Sequence, residues 1–187
     1  MKFKLYYSSG LHKKMKINYI WANDNSYFCD QSKNMQLDKV KYTVIHNTGN
    51  KGNDTAVNNA NYFKTNKQRY AGAHFVIDRY GTIVQCAKLK NICYAVGGEF
   101  DNSKKYPFFK KCRNNNSISI ELCGIVSNKP TKKQLEALQF VIEYIQERCI
   151  NNKTVIRHYD VNGKQCPVRY VDDLKWHKLL KKINILK

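Results

Sequence analysis

AHFVIDRYGTIVQ, residues 73 to 85, sets two short apolar runs on either side of a polar turn that ends in glycine. AHFVID and TIVQ carry the β-branched and aromatic residues of strands, and DRYG, with Gly81 at its end, supplies the reversal, so the spacing predicts a β-hairpin. A hairpin forces at least one antiparallel pair into whatever sheet it joins. Upstream, Val40, Tyr42, Val44 and His46 alternate with Lys41, Thr43 and Ile45, which predicts a strand over 40–46. NTGNKGND then breaks the pattern, and Asp54 is placed to cap a helix over 55–65, where Ala56, Val57, Ala60 and Phe63 form an apolar stripe.

Downstream, SISIELC (117–123) puts Ile118, Ile120 and Leu122 on one face and Ser117, Ser119, Glu121 and Cys123 on the other. The apolar face belongs to a core, and the polar face is expected to border a cleft. Thr131 and Gln134 spell a capping box ahead of Leu135, Leu138, Ile142, Ile145 and Cys149, a core-facing helix of about 17 residues. A short strand over 154–156 and a last helix over 171–183 complete the pattern. Strands interleaved with helices, plus one hairpin, give a single α/β domain: a central mixed β-sheet flanked by helices. Residues 1–39 show no clean periodicity and read as an N-terminal extension packed on a domain spanning 40–187. Residues 86–115 are irregular and polar, and a segment of that length between patterned blocks reads as a substrate-facing loop.

The chain of 187 residues is the size of one ordinary domain, and 42% hydrophobic with 25% charged residues argues against disorder. No run approaches a membrane span. MKFKLYYSSGLHKK lacks an apolar h-region and a small-residue cleavage site, so it does not read as a signal peptide, and the chain is expected to be made in the cytoplasm. Seven cysteines without small-scaffold spacing fit a reducing compartment, most as free thiols and Cys166 as the exception, a thiolate. Net charge is +19, clustered in residues 1–20, 102–113 and 174–187. That field favours polyanionic partners, with an anionic wall polymer and nucleic acid both compatible, although no nucleic-acid motif is present. Each cluster taken alone also fits a solvated lysine-rich surface.

RHYDVNGKQCP (157–167) sets His158 and Cys166 eight positions apart. Zn²⁺ accepts imidazole nitrogen and thiolate sulfur together, so the pair can form a half-site, and His46, at the end of its strand, can complete it. Three protein ligands leave a fourth position for water. As two residues alone, a histidine and a cysteine at this spacing are more often unrelated than co-ligands.

Five blocks in order, VIHNTGN (44–50), AHFVIDRYGTIVQ (73–85), YAVGG (94–98), NSISIELCG (116–124) and RHYDVNGKQCP, resemble the successive motifs of the type-2 N-acetylmuramoyl-L-alanine amidases. The likeness runs from about residue 40 to the end. It implies a fold shared with the peptidoglycan recognition proteins and zinc-dependent hydrolysis of peptidoglycan between N-acetylmuramic acid and L-alanine. Carried over residue by residue, it implies one catalytic Zn²⁺ on His46, His158 and Cys166, with Glu121 as general acid/base and Lys164 as donor to the oxyanion. Some members use a tyrosine just before the histidine of the second block instead of the glutamate; here that residue is Ala73. Taken without the blocks, Glu121 also reads as a surface carboxylate and Lys164 as one lysine of many.

The resemblance also marks Asn47 and Tyr94, in blocks that border the cleft in the family, as substrate-binding candidates; His74 is a further candidate, expected to pack near the site and donate a hydrogen bond. Arg157 and Asp160 flank His158 and are expected to steady its ring. Cys123 is expected to be a buried thiol rather than a ligand. Without a separate wall-binding segment in view, the likeness points to a phage or prophage endolysin, released to act on the cell wall. A cytoplasmic muropeptide-recycling amidase and a non-catalytic peptidoglycan-binding module are the alternatives.

Overall fold

The structure is a computed structural model and describes residues 1–50, 54–100 and 102–186. Part of the NTGNKGND break, residues 51–53, therefore lies outside the described residues, as do Asp101 and Lys187. Nine strands are described: β1 (Lys2–Ser8), β2 (Lys13–Tyr19), β3 (Cys29–Asn34), β4 (Tyr42–Asn47), β5 (Phe75–Ile77), β6 (Ile83–Gln85), β7 (Asn91–Cys93), β8 (Ser117–Leu122) and β9 (Thr154–Arg157). Seven of them form one sheet in the order β1-β2-β6-β5-β8-β4-β9, and β3 pairs with β7 apart from it.

β4 lies between β8 and β9, parallel to both, and β5 runs parallel to β8. The predicted hairpin is present, with β5 and β6 antiparallel and Gly81 at φ +82° closing the turn. Asp78 fixes that turn by accepting from the N–H groups of Tyr80 and Thr82. The sheet is therefore mixed, as the hairpin required.

Helices cover both faces of the sheet. On one side α2 (Lys132–Arg148) buries Leu138, Phe140, Ile142 and Ile145 against Ile17, Phe75, Ile118, Ile120 and Leu122. Each such side chain contributes roughly 1.5–3 kcal/mol on leaving water. On the other side α1 (Ala56–Thr65) buries Ala56, Ala60 and Phe63 against Phe28, Val76 and Val84. α3 (His158–Asn162) and α4 (Asp173–Lys182) close the C-terminal end.

The structure differs from the sequence reading in five places. Residues 86–115, read as irregular, contain β7, which pairs with β3. Residues 1–39 are not irregular: β1 and β2 form an antiparallel hairpin, and β2 pairs in parallel with β6, so this segment extends the sheet. Its alternation is hidden because β1 is an edge strand whose exposed face carries Phe3, Leu5 and Tyr7, apolar residues opposite the core-facing Tyr6. The N-cap of α1 is Thr55, whose hydroxyl accepts from Asn58 N–H; Asp54 instead accepts from the Thr48 hydroxyl, Asn59 Nδ2 and Gly124 N–H. The capping box of α2 is half made. Thr131 Oγ1 accepts from Gln134 N–H, while the buried Gln134 amide donates to the carbonyls of Ile77 and Cys123, core groups that take it from the cap. Last, the polar face of β8 is not open: Ser117, Ser119 and Cys123 are buried, and only Glu121 reaches a cleft, because β8 is a central strand.

Candidate metal centre

Parallel pairing of β4 with β8 sets His46 directly opposite Glu121. A β4 side chain at this position leaves the sheet where the strand ends, so His46 projects at the carboxyl edge, the usual position of sites in open α/β sheets. From β9, the chain turns straight into α3, which begins with His158. The turn is held by Arg157 and Asp160: the Asp160 carboxylate accepts from Arg157 N–H at 2.8 Å and from the Arg157 guanidinium at 2.5–3.0 Å. These two residues steady His158 through the backbone and make no hydrogen bond to its ring.

After α3 the chain reverses at Gly163, in the left-handed region at φ +85°. A Cβ there would stand 2.4 Å from the Tyr106 ring, so glycine is required on two grounds. Asn162 anchors the reversal by donating to the carbonyls of Gly97 and Gly98, each at 3.1 Å. The returning strand hydrogen-bonds back, Tyr159 N–H to Cys166 carbonyl at 2.8 Å, and this brings Cys166 beside His46.

The convergence is close. One ligand atom from each of His46, His158 and Cys166 lies within 4.8 Å of the others, and all three residues are buried. Cys166 Sγ is 3.8 Å from His46 Nδ1; tetrahedral zinc with nitrogen and sulfur ligands needs about 3.6 Å between such atoms. The other imidazole nitrogen of His46 faces Ser119 Oγ at 3.3 Å, a contact that fixes the ring and leaves Nδ1 toward the sulfur. Both ring nitrogens of His158 are sealed from solvent, and among the described residues only the Gly97 backbone stands close by, without the geometry of a full hydrogen bond. Buried imidazole nitrogens rarely go unpaired, and a metal ion satisfies one of them. The donor set fits zinc.

Electrostatics agree with that fit. Burial, then the His158 and Lys164 charges, hold His46 well below the usual histidine range. Burial and Lys164 push His158 down to about 3. Both rings are thus neutral, the ligating form. Burial pushes the Cys166 thiol up to about 12, with Glu121 adding to the effect, so the sulfur holds its proton until a cation displaces it. Burial also raises Glu121 to about 7, opposed by Lys164 and Arg69 and assisted by Asp54. Glu121 Oε2 is buried without a hydrogen-bond partner among the described residues.

These groups line a cleft of about 1140 Å³ together with Asn47, Tyr94, Lys164, Arg69 and Tyr62. Asn47 accepts from Val168 N–H at 2.6 Å and its own N–H points at Cys166 Sγ, so it ties the β4 end to the cysteine loop. Tyr94 stands on the cleft wall with its ring edge against Tyr70. His74 is not brought to the cleft. It is buried beside β8, with Nε2 donating to the Asn91 carbonyl at 2.9 Å and Nδ1 accepting from Ser119 N–H at 3.2 Å. Cys123 is a buried free thiol, as expected, and so are the other six cysteines.

Sequence reasoning missed Ser119 and Arg69. Ser119 carried a signal, since it lies two positions before Glu121 on the same strand face; Arg69 sits in an irregular stretch with none.

Comparison with known proteins gives a consistent result. The family described as N-acetylmuramoyl-L-alanine amidase matches residues 36–169. N-acetylmuramoyl-L-alanine amidase CwlA of Bacillus subtilis (strain 168) is 29% identical over 140 residues, 74% of this chain and 47% of that protein. CwlL of Bacillus licheniformis is 28% identical over 155 residues, 74% of this chain and 39% of that protein. The chain thus spans about half or less of the length of these relatives. The structure of PlyL superposes with a TM-score of 0.67 at 23% identity, covering 89% of this chain and 94% of that one. The catalytic domain of XlyA gives 0.69 at 22% identity, covering 90% and 99%. The fold is therefore that of these proteins, and the chain belongs to the N-acetylmuramoyl-L-alanine amidase family.

Proposed function

We propose that this chain is a zinc-dependent amidase that hydrolyses the bond between the lactyl group of N-acetylmuramic acid and L-alanine in peptidoglycan, acting as a phage or prophage endolysin. The observation that carries this reading is the meeting of His46, His158 and Cys166 at one end of a cleft that also holds Glu121 and Lys164. His46, His158 and Cys166 would hold one zinc ion. Bound there, zinc supplies Lewis acidity, which polarises the amide carbonyl and makes water a nucleophile near neutral pH.

The remaining work falls to the chain's own groups. Glu121, raised to about 7, can take a proton from the attacking water and return it to the departing alanine nitrogen, since its two forms are comparably populated near neutrality. Lys164, exposed on the cleft rim, offers an ammonium to the oxygen on which charge develops. Ser119 fixes the His46 ring. Asn47 and Tyr94 border the space where the glycan and stem peptide would lie. The catalytic machinery belongs to residues 40–187, with 1–39 as an extension of the same sheet.

Among the described residues, no helix is long and apolar enough to cross a membrane. We place the site of action on the bacterial wall, reached after release from the cytoplasm. Incubation of purified walls with the zinc-loaded protein is expected to expose new N-terminal alanine without new reducing sugar ends. No new alanine termini would overturn the proposal. Turnover confined to soluble muropeptides would instead favour a recycling role.

A further inference from the structure

The β1–β2 hairpin carries a surface that the proposed amidase chemistry does not use. On β1, Phe3, Leu5 and Tyr7 are 53%, 59% and 60% exposed, every second residue of one strand, so all three stand on one face. Their cross-strand partners on β2 are Asn18, Lys16 and Lys14, which place two exposed lysines on the same face. The Lys16 ammonium lies 4.0 Å from the centre of the Phe3 ring. The result is a sheet face on which apolar side chains alternate with cations at strand spacing. Residues 1–20 contain five lysines and no acidic residue, so no charge within the hairpin offsets them.

Register tells which face this is. His46 pairs with Glu121, Glu121 with Val76, Val76 with Val84, Val84 with Asn18, and Asn18 with Phe3. Directly paired residues share a side of the sheet, so the hairpin surface and Glu121 belong to one face. α1 covers that face over β5 and β6, whereas the helix that meets β1 among the described residues is α2, which packs on the opposite face. From β8 to β1 is four strand steps, roughly 19 Å. Twist turns the face by about a quarter-turn over that distance without reversing it.

We propose that this hairpin face docks a phosphodiester-linked polyol polymer of the bacterial wall, a polymer whose repeat alternates anionic phosphates with apolar CH faces. The lysines meet the phosphates, and Phe3, Leu5 and Tyr7 cover the carbon chain. Docking there holds the protein on the wall with the cleft's own side of the sheet engaged. The choice of a wall polymer over another polyanion rests on the amidase reading; the surface itself does not.

The test uses the whole chain with purified poly(glycerol phosphate) as probe, comparing wild type with Lys14→Gln/Lys16→Gln and with Phe3→Ser/Leu5→Ser/Tyr7→Ser. All five side chains are exposed, and hydrolysis of a soluble muropeptide should be unchanged in both variants. Polymer affinity should fall about tenfold in each, and the lysine variant should lose about 1.5 from its log–log salt slope. Retention on intact walls should fall likewise, but not on walls stripped of their phosphodiester polymers. Unchanged polymer affinity in both variants would overturn the proposal. So would tighter binding of single-stranded DNA of equal charge through the same residues, or a wild-type dimer that the variants dissolve. Binding requires neither zinc nor Glu121, so a Glu121→Gln protein must bind normally, which separates failure of this proposal from failure of the amidase reading.

Discussion

Arg157→Met removes the buried cation that holds the His158 turn. In the folded chain the guanidinium is 6% exposed and meets the Asp160 carboxylate, which is 11% exposed, at 2.5 Å. It also donates to the carbonyls of Tyr170 at 2.9 Å and Val171 at 3.0 Å, and to Asp173 at 2.8 Å. Asp173 is 73% exposed, so that bridge contributes little. The cost comes from the stranded Asp160 carboxylate and the two carbonyls. Losing one partner of a buried pair costs about 3–5 kcal/mol. For a domain of this size that lowers Tm by roughly 10 °C. Urea unfolding with a chelator present removes any contribution from metal. Replacing both partners, in Arg157→Met/Asp160→Leu, should recover more than half of the loss, leaving the missing α3 cap and the unpaired carbonyls. A single-variant loss below about 1 kcal/mol would refute the reasoning, since it would mean that water supports Asp160 as well as arginine does.

Glu121→Gln should lower kcat on walls by about 10²–10⁴-fold with zinc content unchanged, read by alanine release and metal analysis on one sample. Ser119→Ala should weaken zinc affinity about 10–100-fold in a competition titration while leaving the unfolding midpoint of the metal-free protein nearly unmoved. Gly163→Ala should destabilise by about 1–3 kcal/mol, because the residue must hold a positive φ against Tyr106; an unshifted urea midpoint would contradict that. His74 gives a pH signature. Burial lowers it to about 4, and its Nδ1 must stay unprotonated to accept Ser119 N–H. A folded value below the unfolded one means the unfolded chain binds the extra proton. Its contribution is therefore full above about pH 6.5 and is lost at roughly 1.4 kcal/mol per unit as pH falls toward 4. His74→Asn should be less stable at pH 7 and show a shallower decline in urea midpoint between pH 6.5 and 4.5.

The hairpin, the β4 and β8 strands and α2 were legible because their patterns are local: alternation, a glycine turn and a helical stripe each occupy neighbouring residues. β1 and β2 were not, since the face they turn to the core carries Tyr6, Met15, Ile17 and Tyr19 while the opposite face carries Phe3, Leu5 and Tyr7, so apolar residues on both faces blur the alternation. Asp54 looked like a helix cap by position, yet Thr55 takes that role and Asp54 bonds to Thr48, Asn59 and Gly124, a choice made by residues far away in sequence. The three candidate ligands were legible through ordered blocks, not through spacing, as 112 positions separate His46 from His158. His74, a substrate-binding candidate in the sequence that was also expected to pack near the site and donate a hydrogen bond, spends both ring nitrogens on backbone groups of Asn91 and Ser119. Ser119 and Arg69 needed the sheet register and the cleft wall before either could be seen.

Everything in the proposed chemistry depends on one cation at His46, His158 and Cys166. Metal analysis of the purified protein dialysed against limiting zinc, beside a Cys166→Ser variant, tests this most directly. One zinc per wild-type chain, with the variant losing most of it while remaining folded, is the expected result. Equal zinc in both proteins, or none in either at saturating zinc, would contradict the account.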